Sequence, residues 1–298
     1  MKKKYISLIL LLSIAGQYKL LSIEEITKSN TNHKGYICGT KAINKKTLRL
    51  ANLQLTKLLK KSNLNKEDFQ EIINLIKDGA YINAKGKYKA SALIRAANYG
   101  YKDIVRSLIK LGANVNIKDS HNTTALMYAA IYGYEYIIKL LINTYGIDIN
   151  NQDDYGNNAL MYSLIYRHPE IAKLLINTPG VNINSKNKSN YNPLLLALYN
   201  GETEIAKLLI NLWANIEAAD SSGITPLMMA AYKGYDDVVK ALVRAGANVM
   251  VRDIYGNTSF MHALRGNRRD ASKRDMILRL LMRGYRNTPR YNNNMNNR

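Results

Sequence analysis

Cysteine, proline, phenylalanine and tryptophan are scarce in this chain of 298 residues, which has one, five, two and one of them respectively. The single cysteine, Cys38, excludes an intramolecular disulfide and a metal cluster held by several thiolates. No apolar run of about 18 residues follows the N-terminus, which excludes a protein with several membrane-spanning helices. The hydrophobic fraction of 47% is that of a folded chain, and the length fits one large domain or two small ones.

Acidic residues are also few: 22 Asp and Glu stand against 43 Lys and Arg, for a net charge of +21. The positive excess lies at the two ends, with +12 in residues 1–66 and +8 in residues 265–298, while residues 67–264 carry only +1. A body that tracks phosphates would carry the positive charge itself. We therefore do not expect nucleic acid as the partner, and expect the basic ends to be solvated or to make weak contacts with anionic surfaces.

Groups suited to catalysis or metal binding are sparse and scattered. The four histidines are His33, His121, His168 and His262. None lies at metal-ligand spacing from another histidine or from Cys38, and there is no glycine-rich phosphate loop. The adjacent carboxylates Asp153-Asp154 and Asp236-Asp237 are predicted to serve a turn and a helix start. The sequence predicts no enzyme activity, no cofactor and no metal site.

Residues 1–15 are organised like an export signal. Lys2, Lys3 and Lys4 precede a short apolar stretch, and the small residues of Ser13-Ile14-Ala15 suit a signal peptidase. An uncleaved anchor reaching about residue 23 is the alternative, but polar residues at 17 and 19 interrupt it. We expect cleavage after Ala15, an exported protein in the periplasm or outside the cell, and a linker over residues 16–45.

One pattern recurs through the rest of the chain, at steps of 33, 34, 34, 33 and 33 residues. The recurring triplets are Ser91-Ala92-Leu93, Thr124-Ala125-Leu126, Asn158-Ala159-Leu160, Asn192-Pro193-Leu194, Thr225-Pro226-Leu227 and Thr258-Ser259-Phe260. Paired alanines follow in three copies and a glycine follows in four, before an apolar segment, and residues 112–115 and 246–249 both read Gly-Ala-Asn-Val. Such a period is typical of stacked structural repeats.

Each part of the pattern has a local physical reason. Ser, Thr or Asn followed by Ala or Pro suits a helix start, and paired alanines let a second helix approach closely. The apolar positions of the second segment lie on one face of a helix, and glycine supplies the left-handed residue that ends it. Each unit is predicted to be turn, helix, turn, helix, and to need stacked neighbours to bury its apolar face.

The pattern resembles the ankyrin repeat over about residues 85–284, with the clearest copy at residues 223–249. The resemblance implies an all-α ankyrin repeat solenoid of stacked helix-turn-helix units with β-turn fingers. It has about five to six repeats, N-terminal capping helices over 46–84, and a basic tail at 285–298 that we expect to be disordered. It also implies a non-enzymatic module that binds a protein through a concave groove and its turn tips.

The sequence departs from the family pattern in three ways. The histidine after Thr-Pro-Leu is replaced by Ile94, Met127, Met161, Leu195, Met228 and Met261, which is expected to remove a hydrogen-bonded tie across the turns. Arg167-His168-Pro169 stands in place of Gly-His in the third unit. Trp213 stands where the fourth unit should end in glycine, so that turn is either built differently or exposes Trp213 for a purpose.

Tyrosine is the abundant aromatic, with 22 residues, and nine fall on positions through which the resemblance implies partner contact. The candidate partner-binding residues are Tyr88, Tyr99, Tyr132, Tyr155, Tyr166, Tyr191, Tyr199, Tyr232, Lys233, Tyr255 and Trp213. Tyrosine suits recognition because it combines a large contact area with a polar tip. Codon bias in an AT-rich genome is the alternative explanation. Tyr101, Tyr134 and Tyr235 are predicted to be structural links between adjacent units.

Two functions follow from these observations. The first is an exported protein that binds an unidentified protein partner through the groove. The alternative is a binder of acidic polymers or membrane surfaces through the basic ends, which salt would weaken steeply.

Overall fold

The six repeated triplets each open a short helix that is followed by a second, antiparallel one. A computed structural model describes residues 45–266 and 270–286, and in these ranges it contains fourteen α-helices and no β-strand. The first helices of the six repeats are α3 (Ala92–Asn98), α5 (Ala125–Ile131), α7 (Ala159–Ile165), α9 (Pro193–Asn200), α11 (Pro226–Lys233) and α13 (Ser259–Gly266). The second helices are α4 (Lys102–Lys110), α6 (Glu135–Ile142), α8 (Pro169–Ile176), α10 (Thr203–Asn211), α12 (Asp236–Arg244) and α14 (Ala271–Arg286).

A further helix pair precedes the first repeat. Helices α1 (Lys45–Lys60) and α2 (Lys66–Lys77) pack on each other, and α2 also packs on α3 and α4. Asn65 opens α2 with a capping box, in which its side chain accepts from the Asp68 N–H and the Asp68 carboxylate accepts in return. This pair lies within the segment where the sequence predicts N-terminal capping helices, and we call it the cap.

The residue before each first helix fixes where that helix begins. The side chains of Ser91, Thr124, Asn158, Asn192 and Thr225 each accept a hydrogen bond from the backbone N–H three residues on. Proline at the first helical position of α8, α9 and α11 needs no N–H partner there. These caps matter because helices of seven to nine residues are too short to be stable alone.

The helices form two rows. Each first helix packs on the first helix of the next repeat, and each second helix packs on its own first helix and on at least one neighbouring second helix. One continuous apolar core runs between the rows from Ala51 in the cap to Leu281 in α14. The all-α solenoid of stacked units is therefore confirmed, with six repeats after the cap.

The glycine between the two helices of a repeat also allows close contact with the next repeat. A Cβ added to Gly100 would lie 2.7 Å from the Tyr134 ring, and one added to Gly133 would lie 2.8 Å from the His168 ring. A Cβ on Gly201 would lie 3.2 Å from the Tyr235 hydroxyl. Tyr134 and Tyr235 thus link adjacent units, as predicted.

Turns that project between the repeats form a row of fingers. Most consecutive fingers are joined by one backbone hydrogen bond, such as Ser120 N–H to Tyr88 O at 2.7 Å and Lys188 N–H to Tyr155 O at 2.9 Å. The predicted β-turn fingers are present, and their tips lie side by side along the solenoid.

Three predicted segments lie wholly or largely outside the described residues. They are the export signal at 1–15, all of the linker at 16–45 except Lys45, and all of the tail at 285–298 except its first two residues, which belong to α14. Among the helices that the structure describes, none combines the length and the apolar character needed to cross a bilayer.

Candidate functional site

The finger tips and the exposed sides of the first helices form one surface, which we call the inner face. It comprises finger residues 87–90, 120–123, 154–157, 188–191, 221–224 and 254–257 with the exposed side chains of α3, α5, α7, α9, α11 and α13. The second helices lie on the other side of the core. Most of the candidate residues lie on the inner face.

Four tyrosines lie at the C-terminal ends of four successive first helices. Tyr132 and Tyr166 directly follow their helices, whereas Tyr199 and Tyr232 lie one repeat position earlier, within the last turn of theirs. The four are 50%, 51%, 55% and 49% exposed. Each belongs to the end of a helix whose opposite side is buried in the core, so its ring is held at the surface by a fixed backbone. Side chains of one type and similar exposure therefore recur along four repeats.

A second set of rings lies at the finger tips. Tyr88, Tyr155 and Tyr255 are more exposed than the helix-end tyrosines, whereas Tyr191 is half-buried. The Tyr191 ring meets the Tyr199 ring edge to face at a centroid distance of 6.0 Å. Tyr191 belongs to a finger and Tyr199 to a helix. Their contact therefore joins the finger-tip rings and the helix-end rings into one surface.

Lys233 adds a positive charge next to these rings. Its ammonium lies 5.3 Å from the centroid of the Tyr199 ring and donates to the Tyr199 carbonyl oxygen at 3.4 Å. Lys87 is placed similarly on the first finger, 4.9 Å from the centroid of the Tyr88 ring. A lysine held over a ring keeps its charge at the surface with reduced freedom.

Tyr99 has more neighbours than the other helix-end tyrosines. Its ring stacks on Tyr101 at 5.7 Å and meets Phe69 of the cap edge to face at 6.4 Å. Its hydroxyl donates to the Ser62 carbonyl oxygen at 3.3 Å. Tyr99 is consequently half-buried at the junction with the cap, and a substitution there would test the cap as well as the inner face.

Buried aspartates hold the fingers in shape. Asp119 accepts the backbone N–H groups of His121 and Thr123 on one oxygen and the Tyr128 hydroxyl, at 2.8 Å, on the other. Asp153 is bound in the same way by the Tyr162 hydroxyl. Burial first, and the hydrogen bond to the aspartate next, raise the pKa of both tyrosines above the usual value.

His262 takes the same role in the last repeat. Its ring lies 2.9 Å from an Asp253 carboxylate oxygen. Burial raises the pKa of that carboxyl, but hydrogen bonds from Asn257, from His262 and from the Tyr255 backbone outweigh burial and hold the pKa at about 2. The carboxylate is therefore ionised and fully occupied as an acceptor, which leaves it no free role in acid–base chemistry.

These ties correct one expectation from the sequence. Loss of the family histidine after Thr-Pro-Leu was expected to leave the turns without a hydrogen-bonded tie. Tyr128, Tyr162 and His262, one residue further along, supply that tie in three repeats instead. The signal was present as an aspartate nine residues before an aromatic or histidine, but the sequence does not show that the two side chains meet.

The repeats match a known family. A family model described as Ankyrin repeats (3 copies) matches residues 61–153, 93–187, 137–220 and 194–291. The chain belongs to the ankyrin repeat family. Ankyrin repeat domains generally mediate protein–protein interaction, and the fold is a non-enzymatic interaction scaffold.

Two solved ankyrin structures share the architecture. The crystal structure of the ankyrin repeat domain of Bcl-3, a member of the IkappaB protein family, has 24% identity and a TM-score of 0.62, and the match covers 76% of this chain and 97% of that one. An ankyrin repeat domain from Acinetobacter baumannii AYE has 29% identity and a TM-score of 0.57, with 67% and 98% covered. No curated protein sequence matches the chain.

Trp213 stands where the ankyrin pattern has glycine, and it lies outside the inner face. It follows the second helix α10 and is 87% exposed, with a φ of 61°. Its N–H donates to Ile210 O at 3.1 Å, and the next N–H donates to Leu209 O at 3.0 Å. Glycines at 112 and 246 make the same two bonds, so the turn is unchanged and Trp213 adopts a conformation that favours glycine.

Arg167 is a second such substitution, this time in the turn between the two helices of a repeat. It takes the place of the inter-helix glycine after Tyr166, with a φ of 59°, and its side chain is exposed. Pro169 then opens α8 at its first position, as predicted. This repeat therefore presents an exposed arginine directly after an exposed tyrosine.

Within residues 45–266 and 270–286, no group of three or more His, Cys, Asp or Glu side chains lies close enough to hold a metal ion.

Proposed function

We propose that this ankyrin repeat chain is a non-enzymatic module that binds a protein partner through its inner face. The observation that supports this most directly is the row of half-exposed tyrosines at the ends of four successive first helices, joined to the finger tips through the Tyr191–Tyr199 pair. Tyrosine loses few torsions on binding and offers both apolar and hydrogen-bonding contact, so such rows suit protein recognition.

The inner face also favours recognition over catalysis. The buried carboxylates Asp119, Asp153 and Asp253 are used as structural acceptors within the fingers. The surface that remains consists of rings, amides and a few cations on a fixed scaffold. Such a surface suits an extended contact with a macromolecule better than the enclosure of a small substrate.

We further propose that the chain is exported, on the basis of the signal-like pattern in residues 1–15. A full chain tagged at its C-terminus and expressed in source cells should be recovered from the envelope or the medium with its first residue at Gly16. Recovery from the cytosol with Met1 retained would contradict export while leaving the binding proposal open.

The binding proposal is tested by capture with the tagged full chain from envelope extract and medium, at low and at moderate salt. The test variant is Tyr132→Ser, Tyr166→Ser and Tyr232→Ser combined. The matched control is Tyr81→Ser, Tyr136→Ser and Tyr145→Ser, which removes three exposed tyrosines outside the inner face. We expect a protein that is retained at both salts, is kept by the control and is lost by the test variant.

Two other results would contradict this function. Equal loss with both variants would show that the inner-face tyrosines have no special role. Material that leaves at moderate salt and ignores all six substitutions would favour the basic ends as the binding elements, because polyanion binding weakens steeply with salt.

A further inference from the structure

The two rows of helices differ in charge. The six first helices, α3, α5, α7, α9, α11 and α13, contain no aspartate or glutamate. The second helices α4, α6, α8 and α10 each carry an acid in the first turn that pairs within its own helix. These pairs are Asp103–Arg106, Glu135–Lys139, Glu170–Lys173 and Glu204–Lys207, with N–O distances of 2.9, 2.5, 2.8 and 2.6 Å. In these four second helices the acid is therefore neutralised by a cation of the same helix.

The fingers add little negative charge to the inner face. Asp119, Asp153 and Asp253 are only 6–8% exposed and accept several hydrogen bonds each. Asp154 is exposed, but its carboxylate accepts from the Asn122 amide at 2.6 Å. The carboxylates of the inner face thus face inward or already have a donor.

Cations on and next to the inner face have no such partners. Lys89, Lys188 and Lys233 of the inner face and Arg167 at its edge, in the turn after α7, are exposed, and none of the four forms an ion pair with any residue that the structure describes. Three of the four lie next to an exposed ring: Lys89 follows Tyr88, Arg167 follows Tyr166, and Lys233 covers Tyr199. Unpaired cations that alternate with rings fit a chain in which carboxylates alternate with apolar side chains.

From this charge distribution we infer that the inner face takes an acidic, extended polypeptide segment of its partner. The inference rests on the proposed function and adds the chemistry of the segment. Six first helices packed about 9 Å apart span roughly 45 Å, which an extended peptide of about 14–16 residues covers.

The chain's own undescribed segments do not fit this role. Residues 1–44 carry a net charge of +5 and residues 287–298 carry +2, so both would be repelled by the cations of the inner face. A nucleic acid fits less well than a peptide, because the cations are single and separated by rings rather than gathered into a continuous basic track.

The test measures binding of labelled probes to the purified full chain by fluorescence anisotropy. The first probe is a peptide of about 16 residues made of Glu-Leu-Asp-Gly repeats. The second has Gln and Asn at the acidic positions, which keeps shape and removes charge. The third is a single-stranded oligonucleotide of similar length. We expect the acidic peptide to bind about tenfold more tightly than its uncharged counterpart, since each exposed ion pair contributes a small free energy.

Two charge-reversal variants locate the contact. Lys89→Glu, Arg167→Glu, Lys188→Glu and Lys233→Glu combined should weaken binding of the acidic peptide about tenfold or more. The control Lys66→Glu, Lys77→Glu, Lys110→Glu and Lys240→Glu changes net charge equally, at exposed lysines of the outer row and cap, and should have less than about a twofold effect. Glutamine at the first four positions should give an intermediate loss and guards against misfolding of the reversed variant.

Several outcomes would overturn the inference. These are equal binding of the acidic and uncharged peptides, no binding of the acidic peptide, equal losses in both reversal variants, and tighter binding of the oligonucleotide through the same four cations. The first and third outcomes would leave the tyrosine-dependent capture of a protein intact, so failure of this inference is distinguishable from failure of the proposed function.

Discussion

Individual residues show where this chain departs from what its backbone favours. The turns after α4 and α12 place glycine in the left-handed region, with φ of 87° and 88°, and the turn after α10 places Trp213 there at 61°. A side chain in that conformation is disfavoured by about 1–2 kcal/mol because its Cβ approaches the following carbonyl oxygen. The tryptophan gains little burial in return, since it is 87% exposed.

Replacing Trp213 by glycine should therefore stabilise the protein. We expect Trp213→Gly to raise the free energy of unfolding by about 0.5–1 kcal/mol, the relief of strain being partly offset by the greater freedom of glycine in the unfolded chain. Urea unfolding followed by circular dichroism measures this. Trp213→Ala is the control and should change little, because alanine retains the Cβ. A loss of stability in Trp213→Gly would show that the indole packs on the protein.

The sequence predicts the positions of the candidate residues better than their surroundings. The 33- to 34-residue period is sufficient to place Tyr132 and Tyr166 at one repeat position and Tyr199 at the position before it, because position in a repeat is set by local caps and glycines. It cannot show that Tyr99 is half-buried, because that depends on how Phe69 of the cap approaches it. Nor does the sequence show that Trp213 lies outside the inner face, because this depends on whether the turn keeps the geometry that glycine gives it.

At the scale of elements, the loops after the second helices are joined by a ladder of side-chain amides. Asn116 accepts the Asp148 N–H at 2.8 Å, and Asn150 accepts the Asn182 N–H at 2.7 Å. Later links run from the Asn215 N–H to Asn184 and from the Asn248 N–H to Glu217. Residues 114–116 and 182–184 both read Asn-X-Asn, while 148–150 reads Asp-Ile-Asn and 215–217 reads Asn-Ile-Glu. The role of these side chains depends on the distance between stacked loops, which the sequence does not specify.

Asn150 makes the ladder testable. Its amide oxygen accepts from Asn182 and its Nδ2 donates to the Gly180 carbonyl oxygen at 2.8 Å, so it bridges two repeats. Asn150→Ala should lower the free energy of unfolding by about 1–2 kcal/mol, since two hydrogen bonds between repeats are lost. Asn177→Ala, at an exposed helix end outside the ladder, should change it by less than about 0.5 kcal/mol. Equal effects, measured by urea unfolding, would mean that the ladder adds nothing to stacking.

At the scale of the whole molecule, stability is built from contacts between neighbouring repeats. Each repeat packs on the repeats before and after it, and the core is continuous only because the repeats are stacked. In such a solenoid, a defect at one interface is expected to loosen the units next to it more than distant ones. The acidic residues follow the same plan, with an ion pair inside each of four second helices and no aspartate or glutamate in the first helices.

The interface between the cap and the first repeat depends on one buried arginine. Arg95 of α3 is 7% exposed and donates to the carbonyl oxygens of Leu59, Lys61 and Ser62 at 2.9, 2.7 and 2.9 Å. These carbonyls lie at and just beyond the C-terminus of α1, where no helical N–H is available to them. A guanidinium is well suited to this end of a helix because its charge complements the helix dipole.

Replacing Arg95 by methionine should release the cap while the later repeats stay folded. The change keeps an unbranched apolar side chain but leaves three carbonyl oxygens without their donor, which should cost about 2–4 kcal/mol at this interface. Hydrogen exchange should therefore become faster over residues 45–80 and remain unchanged over residues 159–244. Arg106→Met, at an exposed position of α4, is the control and should leave both regions unchanged. Faster exchange in every repeat would instead show that the solenoid unfolds as one cooperative unit, and that its stability is not the sum of contacts between neighbours.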